Sequence, residues 1–131
     1  MTYGESVEES ATLFDRVGGV AWFDDLATRF YDAVALDAIL RPLYPDDLVA
    51  ARQHLRDFLI QYWGGPSDYS DARGHPRLRM RHVPFAIGIA ERDAWYLHMA
   101  AAVHAGGLGH DDEVEMLGYF ANAATHLINE R

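Results

Sequence analysis

The chain contains no cysteine, which excludes disulfides, thiolate nucleophiles, thiolate-ligated iron and zinc held by cysteine. Any metal must be held by His, Met, Tyr or carboxylate. Lysine is absent too, so all eleven residues of the Lys/Arg class are arginine, a pattern we read as GC-rich coding and not as chemistry. No apolar run is long enough to cross a bilayer, and Met1 to Ala11 is acidic and polar. Neither a signal peptide nor a membrane anchor is expected, no membrane partner either, and the expected compartment is the cytoplasm. A formal charge of −9 runs against nucleic acid as a general partner, because phosphate contacts need a cationic face. Phosphate-binding glycine loops, His-Glu-x-x-His and nucleophile elbows are all missing, and no segment alternates in the manner of a strand.

What is present is helical. At 131 residues, half of them hydrophobic, the chain is one domain with enough apolar surface for a core. Phe23, Leu26, Ala27, Phe30, Tyr31 and Val34 form one stripe of an amphipathic helix opened by the Gly18-Gly19 break. Leu48, Ala51, Leu55, Phe58, Leu59 and Tyr62 repeat the pattern up to a stop at Gly64-Gly65-Pro66. Between them, Ala38 to Leu43 allows a turn or two of helix, and Asp47 is placed to cap the second of these helices. A third long helix is expected from Glu91 to Ala105 with Trp95, Met99, Ala102 and Val103 on one side, ended by Gly106-Gly107-Leu108-Gly109. Asp111 or Asp112 is the expected cap of the last helix. Its apolar residues form two stripes, Val114, Leu117, Ala121, Ala124 and Ile128 beside Met116, Phe120, Ala123 and Leu127. The expected fold is all-α, with five or six helices.

The segment Gly74-His75-Pro76-Arg77-Leu78-Arg79-Met80-Arg81-His82-Val83-Pro84-Phe85 stands out in this acidic chain. Four arginines (Arg73, Arg77, Arg79, Arg81) gather around His75 and His82, and such a cluster needs an anionic partner. Pro76 suits the first turn of a short helix and Pro84 ends it, which pins His82 at its close. One neutral imidazole supplies an axial bond to haem iron, and guanidinium groups suit the two carboxylates of the haem edge. The residues alone leave a second reading equally open, a solvated basic turn that binds RNA or a protein. Met80 is a further axial candidate, disfavoured because a gas-binding haem needs an open sixth position.

Several motifs together resemble the truncated haemoglobins, most closely group II, the O-type of actinobacteria. They are Val17-Gly18-Gly19, Arg29-Phe30-Tyr31, Leu40-Arg41-Pro42-Leu43-Tyr44-Pro45, Gln61-Tyr62-Trp63-Gly64-Gly65-Pro66, the block from Arg73 to His82, and Glu91-Arg92-Asp93-Ala94-Trp95. The resemblance runs from about Leu13 to Asn129. It implies a two-over-two helical sandwich around haem b, with residues 1–12 a flexible N-terminal extension and residues 13–131 the truncated globin domain. It implies His82 as the proximal iron ligand and Tyr31, Tyr44 and Trp95 as the distal pocket. Ala51 falls where a distal histidine would stand, with Leu55 and Phe58 further along the same face. Tyr69, Arg79 and Arg81 resemble groups near the haem propionates. Leu55, Phe58, Leu78, Ile87 and Met99 are haem-wall candidates, although each also reads as ordinary core at such spacing.

Trp95 can only donate a hydrogen bond, whereas the phenols of Tyr31 and Tyr44 donate or accept. Dioxygen bound end-on carries partial negative charge on its outer atom, so two or three donors in a dry pocket hold it. The expected partners are dioxygen or another diatomic ligand, with room for a reductase and for a homodimer. The alternative is a haem redox enzyme of peroxidase or nitric-oxide dioxygenase type, and a helical interaction module without haem is the third class. If His82 is the axial ligand, His82→Ala abolishes the five-coordinate ferrous spectrum, whereas His75→Ala leaves it nearly intact. Absorption spectra of the reduced proteins check this, and a normal spectrum from His82→Ala overturns the assignment.

Overall fold

The computed structural model describes residues 11–66 and 86–129. Within them the chain forms five α-helices and one 3-10 turn, with no strand. Helix α1 (Leu13–Val17) opens at Thr12, whose hydroxyl accepts from the Asp15 N–H at 3.2 Å, satisfying one of the donors that a helix start leaves free. After the Gly18-Gly19 break, α2 (Val20–Leu36) buries the whole expected stripe: Phe23, Leu26, Ala27, Phe30, Tyr31 and Val34. Each large apolar side chain of that kind stabilises the fold by roughly 1.5–3 kcal/mol. The 3-10 turn spans Arg41–Leu43. Helix α3 (Leu48–Tyr62) is capped by Asp47, which accepts from the Val49 N–H at 2.9 Å. Of its stripe Leu59 is buried, Leu48, Ala51, Leu55 and Phe58 pack half-buried against the core, and Tyr62 is exposed, while Ile60, outside the stripe, is buried.

Helix α4 (Ile89–His104) begins where the Glu91 carboxylate accepts from the Gly88 N–H at 2.7 Å. It buries Ala94, Met99, Ala102 and Val103. Helix α5 (His110–His126) departs from expectation at its start. Gly109 holds the cap position and Asp111, Asp112 and Glu113 fill the first turn, where negative charge favours the positive end of the helix dipole. Asp112 also pairs with Arg16 of α1 at 3.2 Å. Of the two stripes on α5, the line through Met116, Phe120 and Ala124 turns inward and Val114 is exposed.

Helix α2 packs on α3 and on α4, and α4 packs on α5, giving two crossed helix pairs, the two-over-two sandwich. Its centre is aromatic and aliphatic, with Phe23, Phe30, Met99, Val103, Met116 and Phe120 sealed from solvent. Two side chains on one face of α2 latch the end of α4. The Trp22 indole donates to the Gly106 carbonyl at 3.0 Å, and the Arg29 guanidinium donates to the Ala102 carbonyl at 3.0 and 2.9 Å. Both acceptors belong to the last turn of α4 or the residues just past it, where carbonyls lack helical partners.

The latch demands glycine at 106, since a Cβ there would sit 2.6 Å from the Trp22 ring. Gly64 is demanded on other grounds, by a φ of +98° and a Cβ direction aimed at Thr12. Gly106→Ala is expected to destabilise the fold by about 1–3 kcal/mol through overpacking. Urea unfolding checks this, as a lowered midpoint at unchanged slope.

Candidate functional site

Three elements bring the distal candidates together. The α2 stripe carries Tyr31 on its last turns, the 3-10 turn delivers Tyr44, and Trp95 stands one turn and a half into α4. Tyr31 and Tyr44 meet edge to face, ring centres 5.5 Å apart, and Phe30 meets Trp95 at 5.4 Å. These contacts fix the rings by packing, because each aromatic fills the gap left by its neighbour's edge.

The Tyr44 hydroxyl is the hub. Burial pushes its pKa up, while the Trp95 and Tyr31 donors facing its oxygen pull it back, leaving it at about 12. Tyr31 is pushed higher still, by burial first, then by the neighbouring Tyr44 and the bond it donates to that oxygen. A phenol oxygen has two acceptor sites and one proton. The Trp95 indole can only donate, so it meets the Tyr44 oxygen as a donor, and the two phenols bring protons and lone pairs that a third group could engage.

That third group has a place to sit. A cavity of about 260 Å³ opens beside the three residues. Its walls are apolar, from Leu40, Leu43, Leu55, Ile87, Phe120 and Leu127, and Tyr31, Tyr44 and Trp95 supply polar atoms. Glu91 and Arg92 also line it but are engaged elsewhere. Glu91 bonds the Gly88 N–H, and Arg92 bonds Thr125 at 3.1 Å and Asp93 at 3.0 Å. An apolar slot with a few convergent donors suits a flat hydrophobic cofactor and a small polar ligand.

The expected residues distribute unevenly over this cavity. Tyr31, Tyr44, Leu55, Ile87 and Trp95 line it. Ala51 and Phe58 pack against the core instead, and Met99 is wholly sealed within it. Tyr69, Leu78, Arg79, Arg81 and His82 lie outside the described residues. Among the described residues no group of three His, Cys, Asp or Glu side chains could hold a metal ion. Sequence reasoning passed over Leu40, Leu43, Tyr119 and Phe120 as cavity walls. Phe120 and Leu127 were legible as an inward stripe, but Tyr119 carried no signal, since it stands on the flank of α5 and stacks on Tyr62 at 4.3 Å.

Comparison with known proteins places this arrangement. Residues 12–129 match the family model described as bacterial-like globin. The group 2 truncated haemoglobin YjbI of Bacillus subtilis is 36% identical over 112 residues, covering 86% of this chain and 85% of that protein. The haemoglobin of the thermophilic phototroph Chloroflexus aurantiacus superposes with a TM-score of 0.91 at 46% identity, over 92% of this chain and 100% of that one. The thermostable haemoglobin of the actinobacterium Thermobifida fusca gives 0.89 at 50% identity, over 91% and 98%.

The raised tyrosines set a pH limit. In the unfolded chain tyrosines ionise near their ordinary value of 10, whereas folded Tyr44 resists to about 12. Tyr119 behaves alike, pushed to about 12 by burial and then by Tyr62. Their contribution to stability is therefore complete below pH 10 and is lost as the pH rises from 10 through 12. Urea unfolding from neutral pH up to about 12 checks the sign, and Tyr44→Phe should flatten the alkaline loss.

Proposed function

The chain belongs to the bacterial-like globin family, as a truncated haemoglobin of the group II kind, and on that premise we propose that it is a haem b protein that holds dioxygen through Tyr31, Tyr44 and Trp95. Haem, when bound, would supply an iron able to take a diatomic ligand. The chain's own residues do the rest. His82 is the proposed axial ligand, and Arg79, Arg81 and Tyr69 are proposed to meet the propionates.

The observation that carries the reading is the meeting of Tyr31, Tyr44 and Trp95 on the wall of one apolar cavity. Leu40, Leu43, Leu55 and Ile87 line it with apolar surface, and a donor in such surroundings acts at low dielectric, where a hydrogen bond is worth more than in water. Tyr44, with its oxygen already facing Trp95 and Tyr31, turns its proton toward the ligand. Trp95 shares its N–H between Tyr44 and the ligand. A redox enzyme of peroxidase or nitric-oxide dioxygenase type would use the same pocket, but an acid–base catalyst works best with a pKa near the operating pH. Tyr44, raised to about 12, and Tyr31, raised by burial, keep their protons at neutral pH and donate hydrogen bonds. Ligand holding is the role that this favours.

The reading predicts a split between ligands. Each charge-assisted bond to the polarised outer oxygen contributes about 1.5–3 kcal/mol, so Trp95→Phe should speed dioxygen dissociation by roughly ten- to a hundredfold. Carbon monoxide carries little charge on its outer atom and should change little. Stopped-flow dissociation of both ligands from the haem-loaded protein decides. Equal acceleration of the two means that Trp95 only occupies space, and no change in either removes it from the donor set.

A further inference from the structure

The corner that carries Tyr44 is tied to the helix that carries Trp95 by a contact outside the cavity. Asp37 closes α2, and one carboxylate oxygen accepts from the Ile39 N–H at 2.7 Å and the Leu40 N–H at 3.0 Å. Its backbone carbonyl accepts from the Arg41 N–H at 2.9 Å. The second carboxylate oxygen lies 2.6 Å from His98 Nε2 on α4. Both side chains are largely shielded, 24% exposed for His98 and 17% for Asp37. His98 and then the Leu40 N–H hold the Asp37 carboxyl below its ordinary range, as a close donor to a carboxylate should.

Two facts give this contact reach. His98 lies three residues beyond Trp95, so both sit on neighbouring parts of one helix face. Downstream of Asp37, Leu40 is sealed in the core and lines the cavity, as do Leu43 and Tyr44. Within the corner, Arg41 binds the carbonyls of Tyr44, Pro45 and Asp46 at 3.2, 3.0 and 3.1 Å, and the Tyr44 N–H donates to the Arg41 carbonyl at 3.2 Å. The corner is thus a stiff unit, and Asp37 to His98 is a polar tie from its root to α4. A shift of α4 against this unit would part the Trp95 N–H from the Tyr44 oxygen.

We propose that Asp37 and His98 are positioning residues for the distal pocket: their contact sets the distance between Tyr44 and Trp95 and thereby how firmly dioxygen is held. This rests on the reading of Tyr44 and Trp95 as ligand donors. Neither residue touches the ligand. Arg16 to Asp112, another side-chain pair between distant helices, ties α1 to the first turn of α5, and since neither residue lines the cavity it serves as the comparison.

The test uses the haem-loaded protein and two readouts, amide exchange of residues 38–46 and dissociation of dioxygen and carbon monoxide. His98→Ala should raise exchange in that segment and speed dioxygen release roughly two- to tenfold, the range of one net hydrogen bond, with carbon monoxide little changed. His98→Gln, which keeps an N–H at similar reach, should restore both. Arg16→Gln should alter neither. Unchanged dioxygen release in His98→Ala, or failure of His98→Gln to restore it, overturns the proposal, including the case in which only thermal stability falls. Should His98→Ala not fold, His98→Phe keeps the bulk of the ring while removing the nitrogen that faces Asp37, and the same outcomes apply. Tyr44→Phe runs alongside. If it releases dioxygen normally, the donor reading itself has failed; if it accelerates release while His98→Ala does not, only the positioning role is lost.

Discussion

Everything in this molecule is arranged around the buried face of α2. Six side chains from Phe23 to Val34 lie along it, and the helix meets α3 on one side and α4 on the other. Helical structure alone would not hold in so short a segment, because isolated helices of this length are marginal in water. The stripe becomes stable only by being covered, and covering it brings α3 and α4 into position. Tyr31 is the last aromatic of that stripe, so the packing that forms the core also sets one corner of the cavity. The site needs no separate scaffold.

The cavity answers an energetic problem as much as a functional one. Burying a phenol without a partner costs on the order of 1–3 kcal/mol, and two phenols and an indole meet here beside leucines. They lie against one another, Tyr31 edge to face with Tyr44 and Trp95 edge to face with Phe30, and their polar groups are each other's nearest partners in an apolar surrounding. The remainder of the walls is apolar.

Helix-scale features were legible in the chain because they depend on neighbours three or four residues apart. The α2 stripe, the Asp47 cap and the glycine stop of α4 all followed from local periodicity. The start of α5 did not, since three acidic residues in a row offered several equivalent caps and the backbone took Gly109. On α3 the period was right, but Tyr62 faces outward to stack on Tyr119, a preference set by a helix far along the chain. The distal trio was visible through family likeness, not through spacing: Tyr44 and Trp95 are joined by packing across three elements. The placement of His82 falls outside the described residues.

The latch from α2 to the end of α4 has a consequence for how the chain acquires its shape. Arg29 reaches Ala102 across 73 residues and Trp22 reaches Gly106 across 84. Bundles built from adjacent helices close quickly because their contacts are local, whereas distant pairings carry a loop-closure cost before any reward. Here the earliest long helix finds its polar partners only in the last third of the polypeptide. During synthesis α3 can cover its side of the α2 stripe early, but the side that meets α4 stays open until α4 has been made. The interval in which this protein is most exposed to wrong partners is written into the order of its helices.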